Sequence, residues 1–181
     1  MTTIIIIAVI AVIVLWLVGA QRKLVSADEL CKNAMSQIGV QQNSRWDALT
    51  ALADLIKSYN EHEYKTIMDV IAQRTAVGRN SSAAEAAEQE AKISEALKQI
   101  NVVVEQYPEL KANDMYMRTM DSVNTYENQV RLSRMTYNDT VTKLNRMVRQ
   151  FPDNIAASIF GFKEKDYLAE PQGKTDMPSM R

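Results

Sequence analysis

One cysteine, one histidine, five glycines and four prolines in 181 residues leave several kinds of protein out of reach. A lone Cys31 cannot close a disulfide within one chain, and with His62 as its only histidine the chain cannot build a zinc site of Cys and His ligands. Twenty-one basic side chains against 22 acidic give a net charge of −1, which supplies no bulk attraction for nucleic acid. From Gln21 to Tyr107 there is no proline and the glycines are Gly39 and Gly78, so little interrupts a helix there. Gly161 and Gly173 are isolated and form no phosphate-cradling loop.

Charge is also missing from Ile4 to Ala20, a 17-residue apolar run that reaches the short end of what spans a hydrocarbon core of about 30 Å. No Lys or Arg precedes it, and it exceeds the usual core of a cleaved signal peptide, so we read it as a retained anchor despite the small residues Val18-Gly19-Ala20. Trp16 suits the interface, and Arg22 and Lys23 follow the run directly. Positive residues resist translocation, which predicts the N-terminus outside and the rest in the cytoplasm.

Beyond the anchor, apolar residues recur at three- and four-residue steps, the spacing of a helix with one buried face. A seam runs through Leu24, Cys31, Met35, Ile38, Leu49, Leu52, Ile56, Tyr59, Ile67 and Val70. Gly78 to Ser82 forms a turn, and Ser82 with Glu85 makes a capping-box pair that opens a helix ending at Tyr107-Pro108. The most regular stretch, Tyr116 to Phe151, holds a 3.5-residue period, the signature of left-handed helix packing. Pro152 ends it, Asp153 opens a short helix, and the residues from Glu170 onward read as a loose tail. The expected fold is all-α: an anchor (residues 1–21), an antiparallel up-and-down bundle (22–168) and a flexible tail (169–181). Three long helices with a short C-terminal one are favoured, the first kinked at Gly39 and continuing to Ala76; a four-helix bundle is the alternative.

The chain resembles the LemA family of bacterial membrane-anchored helical proteins. The resemblance is carried by the anchor, Ala34 to Ile38, Arg45 to Tyr59, Tyr107 to Ala112, Tyr126-Glu127, Arg134, Tyr137-Asn138 and Val141, and most specifically by Phe151-Pro152-Asp153-Asn154-Ile155 through Phe162. At Ala48-Leu49-Thr50-Ala51-Leu52 it departs from the Leu-Ile-Pro-Asn-Leu run of the family pattern. The resemblance implies a helical bundle on an anchor in the bacterial cytoplasmic (inner) membrane, with a periplasmic or extracellular bundle as the alternative to a cytoplasmic one, and no enzymatic activity.

Residues that could do chemistry have plainer explanations. His62, between Glu61 and Glu63, lacks a second histidine one turn on, and Cys31 falls on the apolar seam with no neighbouring cation to favour its thiolate. Lys143, Arg146 and Arg149 suit a helix C-terminus. We therefore expect no enzyme, no cofactor, no metal and no small-molecule substrate. The protein is read as a membrane-tethered interaction protein whose partners are the bilayer and an unidentified protein or a second copy, with a self-assembling scaffold paired through the heptad seam as the alternative.

Two site expectations follow. Glu127 and Arg134 lie on the seam, where a buried charge needs a partner, so Glu127 should pair with Arg45 and Arg134 with an acid of another helix, the alternative being that both side chains snorkel past the seam to water. If the first helix climbs to Ala76, the last one projects about 16 residues, or about 25 Å, beyond the Gly78 turn. Its seam there (Tyr137, Val141, Leu144 and Val148) should be covered by Phe151, Ile155, Ile159, Phe160 and Phe162 folded back on it, as simple closure within the chain or, in the alternative, as a partner surface at the membrane-distal tip.

Overall fold

The computed structural model describes residues 1–169. Six helices follow one another: α1 (Thr2–Lys57), α2 (Glu61–Ile71), α3 (Ala83–Gln106), the single turn α4 (Pro108–Lys111), α5 (Asp114–Arg149) and α6 (Asp153–Phe160). The described residues contain no strand, and beyond Ala169 the expected flexible tail lies outside them.

α1 is one helix of 56 residues, running without a break through Gly39 and through Ala48 to Leu52, where no proline intervenes. Every residue up to Leu15 is exposed, whereas from Ala20 onward one face is buried. Among the described residues α1 alone is long and apolar enough to cross a membrane.

The first segment folds back at Ser58–Asn60 and does not continue to Ala76. Asn60 caps α2, its side-chain oxygen accepting from the backbone N–H groups of His62 (3.0 Å) and Glu63 (3.2 Å). Asn60 with Glu63 three residues later is a helix-start signature, and Glu61 and Glu63 sit favourably in its first turn. α2 then descends along α1, and the connection to α3 continues down to an Arg79–Glu29 ion pair. Gly39 marks where that connection touches α1: a Cβ there would lie 1.8 Å from the Val77 carbonyl oxygen. It serves close approach, not a kink.

α3 opens on the expected capping box, with both the Ser82 and the Glu85 side-chain bonds formed, and climbs back to Tyr107. Asn113 caps α5, which descends antiparallel to α1 over its whole length. The long helices are thus α1, α3 and α5, and the short α2 makes the order up, down, up, down. Two apolar clusters fill the bundle. The distal one joins Trp46, Leu49, Leu52 and Ile56 to Ile67, Ile93, Ile100, Leu110 and Val123, and the proximal one joins Leu24, Cys31, Met35 and Ile38 to Val141, Leu144 and Ala157.

Candidate membrane-proximal site

Antiparallel pairing brings the last turns of α5 beside the first bundle turns of α1. Arg22, Lys23, Ser26, Ala27 and Leu30 line one depression together with Thr140, Lys143 and Met147. The site therefore stands at the anchor end of the bundle and not at the distal tip, because α1 stops at Lys57 and α5 descends where it was expected to rise. There is no projecting tip for it to cover.

The nine expected surface residues divide between core and surface. Tyr137, Val141 and Leu144 are buried in the proximal cluster, closing on Ala20, Leu24 and Cys31, and so cannot be a partner surface. Val148 and Phe162 pack at its edge. Phe151 (75% exposed), Ile155 (46%), Ile159 (61%) and Phe160 (44%) face outward. α6 turns its two small residues, Ala156 and Ala157, into the cluster, which lets its backbone come close to α1.

Gly161, at φ +73°, ends α6 in the left-handed conformation that glycine adopts at low cost. The Phe162 N–H closes the helix end on the Ala157 carbonyl at 2.9 Å. The chain then runs back along α5 as an extended strap, residues 162–169. Asn145 accepts from the Lys165 N–H and donates to the Lys165 carbonyl, both at 2.9 Å, and Asn138 does the same to Leu168 at the same distances. Each amide thus supplies the donor–acceptor pair that a neighbouring strand would. The spacing is commensurate: seven residues of helix rise about 10.5 Å and three residues of extended chain advance about 10 Å. Tyr137 donates to the Asp166 carbonyl at 3.2 Å, Arg149 pairs with Glu164, and Lys165 reaches Asp28 of α1 at 3.0 Å. Nothing in the hydrophobic period marks Asn138 and Asn145; their heptad spacing ahead of a Gly-led non-helical segment is the signal that could have found them.

Burial pushes the Asp28 carboxyl up, but its bonds from Lys32 and Lys165 outweigh that and hold it below the ordinary range. Burial raises the Cys31 thiol, which fits a structural role. Burial, with the neighbouring Cys31 and Asp166, pushes the Tyr137 phenol up to about 12.

The expected polar network reaches α3 and the strap. Arg45, 1% exposed, donates to Glu90 of α3 at 2.5 Å, while Gln42 donates to the Ala86 carbonyl at 3.0 Å. Glu90, four residues after Ala86 and three before Ile93, falls on the sequence seam of α3, and that position is the signal that could have found it. Glu127 is half-buried and engaged within the chain. Arg134 is half-buried and donates to the Ala169 carbonyl on the strap, a backbone oxygen where a carboxylate was expected. His62 is exposed, and the described residues hold no group of three or more His, Cys, Asp or Glu placed to bind a metal.

A model of the LemA family matches residues 34–181. "Magnetosome protein MamQ 2" of Paramagnetospirillum magneticum is 36% identical over 81 residues, covering 44% of this chain and 30% of that protein. "Magnetosome protein MamQ" of Magnetospirillum gryphiswaldense is 32% identical over 81 residues, with the same coverage. "Protein LemA" of Metamycoplasma hominis is 23% identical over 141 residues, 77% of this chain and 64% of that one. The match spans less than a third of the magnetosome relatives' own length.

Proposed function

Since this chain belongs to the LemA family, we propose that it is a non-enzymatic, membrane-tethered interaction protein that presents its bundle to partners at the bacterial envelope. The observation that carries this reading is α1, whose exposed apolar start and buried remainder are one uninterrupted helix. With no joint between them, anchor and bundle take one orientation. The part from Gln21 to Lys57, roughly 37 residues, makes a spine of about 55 Å. Arg22 and Lys23 place the bundle on the cytoplasmic side of the cytoplasmic membrane in this reading.

The buried polar side chains support it, since they join elements to one another. Gln42 and Arg45 hold α3, Gln89 accepts from the Thr75 N–H at 2.9 Å, and Asn145 holds the strap. The scaffold alternative loses its seam: Tyr116, Val123, Val130, Tyr137, Val141 and Leu144 are already buried within one chain. Photo-crosslinking residues placed at Thr66, Val102 and Leu132 of the full chain in native membranes test the reading. Discrete protein adducts clustered on one face are expected; lipid adducts alone, or none, at all three positions overturn it.

A further inference from the structure

The outward face of α6 is apolar, yet none of the described residues covers it. Phe151, just before α6, and Ile155, Ile159 and Phe160 on it are all exposed, and the opposite side of the helix packs on α1. Its height decides what meets it. Met147 of α5 lines the same depression as Arg22 and Lys23, and α5 ends two residues further on, so α6 lies at or below the level of Arg22. Ala156 and Ala157 belong to the cluster that contains Ala20 and against which Trp16 and Leu17 pack. α6 thus flanks the last turns of the apolar run, and Ile13, one turn before Trp16 and Leu17 on the same face of α1, is exposed. Its exposed face therefore adjoins the side of the anchor that carries Ile13 and Val9, both exposed.

Just above that level the exposed side chains change character. Arg22, Lys23, Lys143, Arg146 and Lys163 are exposed cations around the same end of the molecule. An apolar face beneath a collar of cations matches an interface of acyl chains below anionic headgroups, which attract cations near the surface. A protein partner would leave the place of this face beside the anchor unexplained.

We propose that α6 is a second membrane contact, lying in the interfacial layer with Phe151, Ile155, Ile159 and Phe160 among the acyl chains and the surrounding cations at the headgroups. The asparagine-held strap is then what keeps α6 at this depth: it ties the helix's C-terminal end back to α5. This rests on the reading of α1 as a membrane anchor.

The test is nitroxide accessibility of the full chain reconstituted in vesicles of phosphatidylcholine and phosphatidylglycerol, with Cys31→Ala as background and single labels at Ile10→Cys, Ile159→Cys and Thr136→Cys. Retained helicity of each labelled chain is checked first. The expected result is that labels at Ile10 and Ile159 relax with oxygen and are shielded from a water-soluble nickel chelate, while the label at Thr136 shows the reverse. A label at Ile159 that is open to nickel while the one at Ile10 stays shielded overturns the α6 contact and leaves the anchor standing. An Ile10 label open to nickel overturns both. Spin–spin broadening at Ile159 that disappears on dilution with unlabelled chain assigns the face to a second copy and likewise overturns the proposal.

Discussion

From Trp46 to Val123 the bundle is filled by large aliphatic side chains, whereas at the anchor end seven of the sixteen buried cluster residues are alanines, against two of fifteen in the distal cluster. The distal end has four elements to bury, so Leu, Ile and Val meet from several sides, and hydrophobic area supplies its stability. At the proximal end α1, α5, α6 and the strap must come close to one another. Small residues permit that approach but bury little area, and polar side chains supply what is missing: Asn138 and Asn145 bind the strap, Asp28 receives Lys32 and Lys165, and Tyr137 closes on Asp166. Apolar packing needs only a face, but this end needs specific partners at specific heights.

The contrast predicts opposite sensitivities. Leu49→Ala, at a fully buried distal position, should lower the free energy of unfolding by about 3 kcal/mol, read from denaturant midpoints. A loss below about 1 kcal/mol would show the distal core to be loosely packed. At the proximal end enlargement should be the damaging change: Ala34→Leu should cost about 1–3 kcal/mol, and Gly39→Ala should act in the same way through the Val77 carbonyl.

Asn145→Ala removes both partners of Lys165 and should cost about 1–3 kcal/mol locally. Hydrogen exchange should accelerate at the amides of Lys165 and Leu168 and leave α3 unchanged. If protection falls evenly over the whole chain, the two ends are not separable in this way.

Tyr137 gives a smaller effect with a distinct pH signature. Its phenol is raised to about 12 in the fold, above the ordinary value of about 10. The folded state therefore holds the proton more tightly, and this contribution is complete below pH about 10 and disappears as the pH rises through about 12. Tyr137→Phe should cost about 1 kcal/mol at neutral pH and flatten the alkaline fall in stability, whereas an unchanged alkaline limb would place its origin elsewhere. Smallest of all, Arg74→Ala breaks an exposed 3.1 Å pair with Asp47 and should change stability by no more than about 0.5 kcal/mol.

What the sequence revealed follows the same division. α3 was legible from Ser82 and Glu85, α5 from its 3.5-residue period, and α6 from Pro152 and Asp153, because caps, period and proline are local signals. The break at Ser58–Asn60 was hidden because Ile67 keeps the phase of the α1 seam, so the apolar pattern runs smoothly across a reversal of direction. Asn60 with Glu63 carried the contrary signal. That one reversal decided which end of the molecule the Tyr137–Phe162 residues occupy. The strap was illegible because two asparagine amides bound to backbone leave no hydrophobic pattern, and Arg45 found Glu90 because α3 packs at a height that helix lengths alone did not fix.

The most direct test of the account is the height of α5 above the bilayer. In the full chain with Cys31→Ala, a donor fluorophore at Arg146→Cys or at Met117→Cys is read against an acceptor confined to the headgroups of the vesicle membrane. The two positions are 29 residues apart on one helix, so the account predicts that Arg146 lies at the headgroups and Met117 about 44 Å farther out. Met117 nearer the membrane than Arg146, or the two at equal height, would contradict it.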